Sequence, residues 1–493
     1  MVSAFVRDGR ALAVLAVPLV LTQLAQVALT TTDTVMMGLL GARELAAGGL
    51  AVVVFNQLRT MGVGLMASAG NRIAAEAARA ERAAAPAAGH ARPAGEDTPG
   101  ARTGYAGTDT ALPGHGGTDA NGAEVRAVVR ASMAVATLAG VAGAALMILI
   151  GQALPLLGQD PAVVELTRSM LLALAPGLLP CLWFQALRQF SLGMRRPQAL
   201  LRITLLSVAV NAGLNWVLVH GTWGVPRLGL TGIGAATSAV HLLSFLALVL
   251  LVKRDAGLAP LIALNPARAD VATTRRLIAL GVPTAATYGS EAGFFSVTAL
   301  MAGSFGTAAL AAHTAVNQLV YIVFQIGIGL SHAASINVSR ELALGRTEHA
   351  RRIRNAALAL TAAVMTPVAA LYLAVPRLIL TPFLDPTAEA HAVAVHLLVV
   401  TAFLHYADCA QNIGVGLLRS LDHTRTGFRI TLVGYWAIGL PAAWACAYPL
   451  GLRTLGIWLG LLTGLAATAV LLLRHYSRTL RQRDTAPTAA AAA

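Results

Sequence analysis

The stretch VPLVLTQLAQVALTTTDTVMMGLLGARELAA, residues 17–47, returns in altered form but in step 265 positions further along the chain. Setting each residue from 12 to 76 against the one 265 later needs no gap and gives 16 identities in 65 pairs. They include Pro18/Pro283, Gly38/Gly303, Gly41/Gly306, Gly62/Gly327, Gly64/Gly329 and Glu76/Glu341. LGARELAA at 40–47 lies over FGTAALAA at 305–312, and MGVGL at 61–65 over IGIGL at 326–330. Chance apolar similarity rarely keeps prolines and glycines in step, so the chain is an internal duplication. RITL at 202–205 matches RITL at 429–432, where the offset has fallen to 227. The first half therefore carries about 38 extra residues, and the Gly-, Pro-, Ala-, Thr- and Asp-rich run at about 83–120 is where they fit. That run cannot build a core and reads as a disordered loop.

Working outward, the composition fixes the solvent. Apolar residues make up 56% of the 493 and charged ones 12%, with a mean hydropathy of +0.68. A soluble chain carries about 25% charged residues, so a polytopic membrane protein follows. A membrane helix needs about 20 apolar residues. Twelve blocks qualify: roughly 11–37, 45–70, 126–155, 163–189, 200–220, 228–252, 276–302, 311–337, 354–377, 391–418, 427–449 and 455–473. The first is too long for a signal peptide and contains Asp33, so it reads as a membrane helix. The fold expected is all-α, with twelve transmembrane helices in two six-helix lobes. The N-terminal lobe spans 1–252, with the insertion at about 83–120. The C-terminal lobe spans 253–475, and 476–493 form a disordered cytoplasmic tail. An even number of helices per lobe makes the repeat parallel, the arrangement in which one lobe moves against the other around a central site.

The net charge of +14 does not mark a nucleic-acid binder, because the arginines fall in the gaps between apolar blocks. One set of loops holds Arg72, Arg79, Arg126, Arg195, Arg196, Lys253, Arg254, Arg275, Arg276, Arg340, Arg346, Arg351, Arg352 and Arg425. The opposite set holds only Arg43, Arg227, Arg377 and Arg453. The positive-inside rule then puts both termini in the cytoplasm. Trp216, Trp223, Trp444 and Trp458 fall near the outer ends, as interfacial aromatics do. Cys181, Cys409 and Cys446 sit in apolar blocks as core fillers, and His90 and His115 in the insertion form no metal motif. Asp160 and Asp385, each followed by proline, read as helix caps.

Ionisable groups at membrane depth are costly and mark function. They are Asp33 in helix 1, Arg59 in helix 2, Glu291 in helix 7 and Asp408 in helix 10, with His313, His332 and His405 as lesser candidates. Asp33, Glu291 and Asp408 are the candidates for cation coupling, since a buried carboxylate can take a cation or a proton. Glu291 and Asp408 share the C-terminal lobe. Asn211 and Asn215, one turn apart, share a face. With Asp33, Arg59 and Gln411 they are candidates to line a substrate cavity or to join helices. The repeat sets Gln26 against Glu291 and Asp33 against Thr298, so the lobes share geometry but differ in polar equipment. Pro18 and Pro283 interrupt equivalent helices, as a hinge or a fixed kink.

Four stretches carry a resemblance: 17–41, VNAGLNWVLVHG at 210–221, ALAAHTAVNQL at 309–319 and GVGLLRSLDHTRTG at 414–427. With the duplication, they make the chain similar to the multidrug and toxic compound extrusion transporters over most of residues 10–475. The resemblance implies twelve helices in two lobes and export of organic cations or amphipathic drugs against Na+ or H+, with no other cofactor. It implies a multi-pass protein of the bacterial inner membrane, working as a monomer. Asp33 matches the family's helix 1 aspartate, and Glu291 and Asp408 match the helix 7 and helix 10 acids of its Na+-linked branch, a resemblance that implies a candidate Na+ site at this pair. A tyrosine expected one turn before Asp408 is replaced by Leu404, with Tyr406 nearby. The alternative is a lipid-linked saccharide flippase of the same superfamily. It needs a basic cavity, and Arg59 alone reads as an intramembrane cation. A non-transporting scaffold would need no intramembrane acids, and no nucleophile–base spacing points to an enzyme.

Overall fold

The computed structural model describes residues 2–84, 119–157, 161–224, 226–385, 387 and 389–490. Its first lobe holds α1 (Val2–Leu40), α2 (Ala42–Ala84), α3 (Asp119–Ala153), α4 (Pro161–Gly193), α5 (Gln198–His220) and α6 (Gly229–Arg254). The second holds α7 (Val271–Gly303), α8 (Thr307–Ala343), α9 (Thr347–Ala374), α10 (Glu389–Ser420), α11 (Thr424–Ala447) and α12 (Arg453–Ala490). Eleven of the twelve combine the length and apolarity needed to cross a bilayer. The other, α7, is 33 residues long, but Glu291 and the Gly, Ser, Thr and Tyr residues around it dilute its apolar run. Apolar side chains such as Val14, Leu138, Leu206, Leu250, Leu300 and Leu371 are exposed, which is stable only against lipid.

Several helices outrun their apolar blocks. At the end of α2 good helix formers continue the turn, with Arg79 Nη1 2.6 Å from Glu76 Oε1. The insertion read at about 83–120 falls almost wholly at 85–118, outside the described residues, as do Asp160, His90 and His115. The expected disordered tail from 476 does not begin there. Helix α12 continues, Tyr476 and Leu480 are fully buried, and the Tyr476 hydroxyl donates to the Ala350 carbonyl at 3.4 Å. Leu473, Tyr476 and Leu480 form a helical stripe that the intervening arginines hide in the sequence.

Trp216 and Trp444 are exposed near the face opposite the arginines, whereas Trp458 lies in the core with its ring against His313. Its position places it near a helix end, but the face it occupies points inward. The side chain of Trp223 lies outside the described residues. Asp385 makes a local turn, accepting from the Thr387 N–H at 2.9 Å and hydroxyl at 2.7 Å, and does not cap α10. Cys181 and Cys409 are buried and Cys446 partly so.

The duplication repeats in the packing. Helices α2 and α4 pair as α8 and α10 do, and α4 packs on α6 as α10 does on α12. The turns after α4 and α10 place Arg195 at φ 59° and Asp422 at φ 62°, 227 positions apart. Gly41 and Gly306, aligned by the repeat, take φ 142° and 104° between paired helices, where a side chain would strain the backbone. Thr22 and Thr287 donate to the carbonyls of Pro18 and Pro283 at 2.7 and 2.9 Å, occupying the carbonyl beside each proline.

The lobes meet along two seams that the repeat also relates. A Cβ on Gly64 would lie 2.7 Å from Ala285 Cα, and one on Gly329 3.0 Å from Val20 Cα. Residues 64 and 329, like 20 and 285, are aligned positions, so α2–α7 and α1–α8 form the same contact twice about a pseudo-two-fold axis. On the arginine-rich side of the seams Arg72 Nη1 meets Asp422 Oδ2 at 3.0 Å. There too Arg340 Nη1 meets Glu81 Oε1 at 2.9 Å, and Arg82 donates to the Leu344 carbonyl at 3.4 Å. Each exposed pair is worth about 0–1 kcal/mol, but together they lock one end of the interface.

Helix α7 starts at Asp270, whose carboxylate accepts from the Thr273 N–H and hydroxyl, each at 2.7 Å. These bonds hold the carboxyl below the ordinary aspartate value of 3.8. A lowered value means the capping contribution is complete above 3.8 and is lost as the pH falls through the folded-state value. Asp270→Ala is therefore expected to melt earlier than wild type at neutral pH. The difference should vanish in strong acid, as read by thermal unfolding across a pH series.

Candidate functional site

Helix α1 carries Asp33 into the first lobe, where it is 5% exposed. Asn211 Nδ2 and Asn215 Nδ2, one turn apart on α5, donate to Asp33 Oδ1 at 2.6 and 2.7 Å. Thr237 on α6 donates to Oδ2 at 3.0 Å. Two candidates, Asn211 and Asn215, thus converge on the carboxylate of a third, Asp33, with Thr237 added. Such charge-assisted bonds are each worth about 1.5–3 kcal/mol. Asp33 and Thr237 line a cleft together with Gln26, Phe55, Arg59 and His241, whereas Asn211 and Asn215, expected from the sequence as cavity-lining, are fully buried behind the carboxylate and join helices instead. Phe55 and His241 stack with centroids 5.8 Å apart. Arg59 Nε donates to Asn56 Oδ1 at 3.2 Å. The cleft lies on the side of the seams away from the arginine-rich end.

The second cluster is separate. Glu291 and Asp408 are 7% and 1% exposed. Gln411 Nε2 donates to Glu291 Oε1 at 3.0 Å, and the Tyr435 hydroxyl donates to Gln411 Oε1 at 2.6 Å. Asn412 Nδ2 donates to Asp408 Oδ1 at 3.1 Å, while Asp408 Oδ2 is buried with no donor at bonding distance. Gln411, a candidate for the substrate cavity, therefore sits beside the acid pair and not in the cleft. Among the described residues no three His, Cys, Asp or Glu side chains gather as a metal cage. What exists is two buried carboxylates met by the amide N–H groups of Gln411 and Asn412, with Asp408 Oδ2 the oxygen left to take a proton or a cation.

Tyr435 is not evident as a site residue from the sequence. It comes from a π-helical stretch of α11, Val433–Gly439, a wide turn of the kind often found at functional sites. Its ring lies on Phe294 with centroids 5.0 Å apart and 5° between planes. Tyr406 points elsewhere, its hydroxyl 2.9 Å from that of Thr366. A tyrosine in an otherwise apolar block, VGYWAIG, is the available signal. Thr298, the repeat counterpart of Asp33, spends its hydroxyl on the Phe295 carbonyl. His313 and His405 are buried without hydrogen-bond partners among the described residues.

A polar bridge crosses between the lobes below the cleft. Arg188 Nη2 donates to Gln23 Oε1 at 2.7 Å, and Gln23 Nε2 donates to Gln325 Oε1 of the other lobe at 3.2 Å. Arg188 and Arg419 are each 2% exposed. Arg59 is thus not the only intramembrane cation. Both additional arginines lie at the ends of apolar blocks, where loop charges are expected, but their helices run on through the core.

The MatE family model matches residues 119–217 and 283–445. The chain is 33% identical over 461 residues to a probable multidrug resistance protein NorM of Pseudomonas aeruginosa, covering 92% of this chain and 86% of that one. It is 34% identical over 477 residues to a probable multidrug resistance protein NorM of Bradyrhizobium diazoefficiens, covering 95% and 93%. The fold is similar to the crystal structure of the eukaryotic MATE transporter AtDTX14, with a TM-score of 0.78 at 19% identity over 97% of this chain and 98% of that one. It is also similar to a multidrug resistance MATE transporter in its outward-facing conformation, with a TM-score of 0.80 at 15% identity over 97% of each chain. A twelve-helix membrane fold built by duplication and this identity over nearly its whole length give one conclusion: the chain belongs to the multidrug and toxic compound extrusion family, and it is a secondary transporter, not an enzyme.

Proposed function

We propose that the protein is an antiporter of the bacterial inner membrane that exports organic cations or amphipathic drugs in exchange for Na+ or H+. The observation that carries the reading is the separation of two polar sites, a cleft at Asp33 and a buried acid pair at Glu291 and Asp408. The arginine-rich face is cytoplasmic, both termini with it, and the closed seams then make this the outward-open state. Residues 1–252 and 253–475 are the two bodies that move, within a single monomer. In the outward-open state the ion enters at Glu291 and Asp408, and drug leaves from the cleft that Asp33 lines, with Asn211 and Asn215 holding its carboxylate from behind. The lobes then part at the arginine-rich face, the ion is released and a new substrate binds. The ion drives this only by binding the two states unequally.

The test is ethidium efflux from proteoliposomes under a Na+ gradient and a pH gradient imposed separately. Efflux driven by either identifies the ion. No driven efflux from folded, correctly oriented protein removes the antiport reading.

A further inference from the structure

The cleft that would receive a cation has more positive than negative charge around it. Arg59 lines it half-buried and forms no ion pair with a carboxylate among the described residues. Arg188 lies behind it, bonded only to the neutral amides of Gln185 and Gln23 at 3.1 and 2.7 Å, and its Nε has no acceptor. The single acid of the cleft, Asp33, already accepts from two donors at Oδ1 and one at Oδ2. Two guanidiniums against one masked carboxylate disfavour a compact cation deep in the cleft. A planar guanidinium held at membrane depth on neutral amide partners, with N–H groups to spare, is the donor set that recognises a carboxylate.

Asp33 and Arg59 lie 8 residues before and 18 residues after Gly41 on antiparallel helices. At 1.5 Å of rise per residue their backbone levels differ by roughly 15 Å, which the arginine side chain shortens. We propose that the floor of the cleft is an anion subsite in which Arg59, backed by Arg188, takes a carboxylate of the transported amphiphile, so that the preferred substrates are zwitterions. The amine end lies toward Asp33 and the carboxylate end toward Arg59. Arg59 is then the residue that sets specificity. The proposal rests on the efflux reading above, and a binding measurement separates the two.

The probes are rhodamine B, with a free carboxylate beside a cationic ring system, and its ethyl ester, which keeps only the positive charge. Binding of each to detergent-purified protein is read by fluorescence anisotropy. Wild type is expected to bind rhodamine B at least about tenfold more tightly than the ester, the ratio that 1.4 kcal/mol supplies. Arg59→Gln should abolish that preference by weakening rhodamine B while leaving the ester unchanged or tighter. Arg59→Lys should keep part of it, because charge remains but the fork is lost. Equal affinities in wild type, or a preference that survives in a folded Arg59→Gln protein, would overturn the subsite. So would ester binding that tightens when chloride replaces gluconate and loses this response in Arg59→Gln, since the anion would then be a free ion. If the preference appears as expected but no gradient drives efflux, the antiport reading fails and the subsite stands.

Discussion

Glu291→Gln and Asp408→Asn, made singly, are each expected to reduce gradient-driven efflux to the rate seen when the gradient is collapsed. Both side chains are buried within electrostatic reach of each other and of Tyr435. Two carboxylates in a low-dielectric site repel unless a cation or proton offsets them, and that is how an ion gradient gains a grip on this lobe. The amide variants keep volume and most hydrogen bonds. Gln411 can turn its amide to meet the new amide in Glu291→Gln, and Asn412 still finds an oxygen to bond in Asp408→Asn. The fold should therefore survive while the charge is lost. A loss of at least about tenfold in driven efflux is expected, because coupling free energies of about 1–3 kcal/mol correspond to roughly 5–150-fold. Drug binding in the other lobe should change little. Driven efflux that persists in both variants would show that the acid pair does not couple the ion.

Gly329→Val is expected to move the whole population away from the closed seam. A first carbon at that position already meets the backbone of Val20 at 3.0 Å, and two further methyls cannot be placed without parting α1 from α8. Overpacking of this kind costs about 1–3 kcal/mol, and about 1.4 kcal/mol is tenfold in an equilibrium. The strain falls only on the state in which this end is shut. Spin labels at Ala83 and Leu344, on opposite sides of the arginine-rich interface, should report a longer distance in the variant. Gly64→Val, at the repeat-related seam against Ala285, should act in the same direction. An unchanged distance distribution in both would show that the seam yields without opening.

The duplication is legible in the sequence because it is written in prolines and glycines, which keep their places for backbone reasons. Helix positions are legible because the bilayer sets a length. Asp33, Glu291 and Asp408 stand out because charge at depth is expensive. What the linear order conceals is partnership across helices. Thr237 lies 204 residues from Asp33, and Gln325 302 from Gln23, and no local pattern ties either pair together. Arg188 and Arg419 escape notice because a charge near the end of an apolar block looks the same whether its helix stops or continues. Trp458 is misplaced for a related reason, since depth can be read from sequence more readily than azimuth. The packed end of α12 is hidden by arginines on its other face.

The wide turn at Val433–Gly439 bears on any residue-by-residue transfer from a relative. A π turn spends one more residue than the α turn it replaces. Helix positions on its two sides are therefore out of phase by about 100° with respect to an uninterrupted helix. An alignment that keeps gaps out of helices will place Tyr435 and Trp436 correctly or the residues beyond Gly439 correctly, but not both, whenever the relative lacks the turn. The one-residue gap belongs inside this helix, and mutagenesis designed by analogy on either side of it needs its own register.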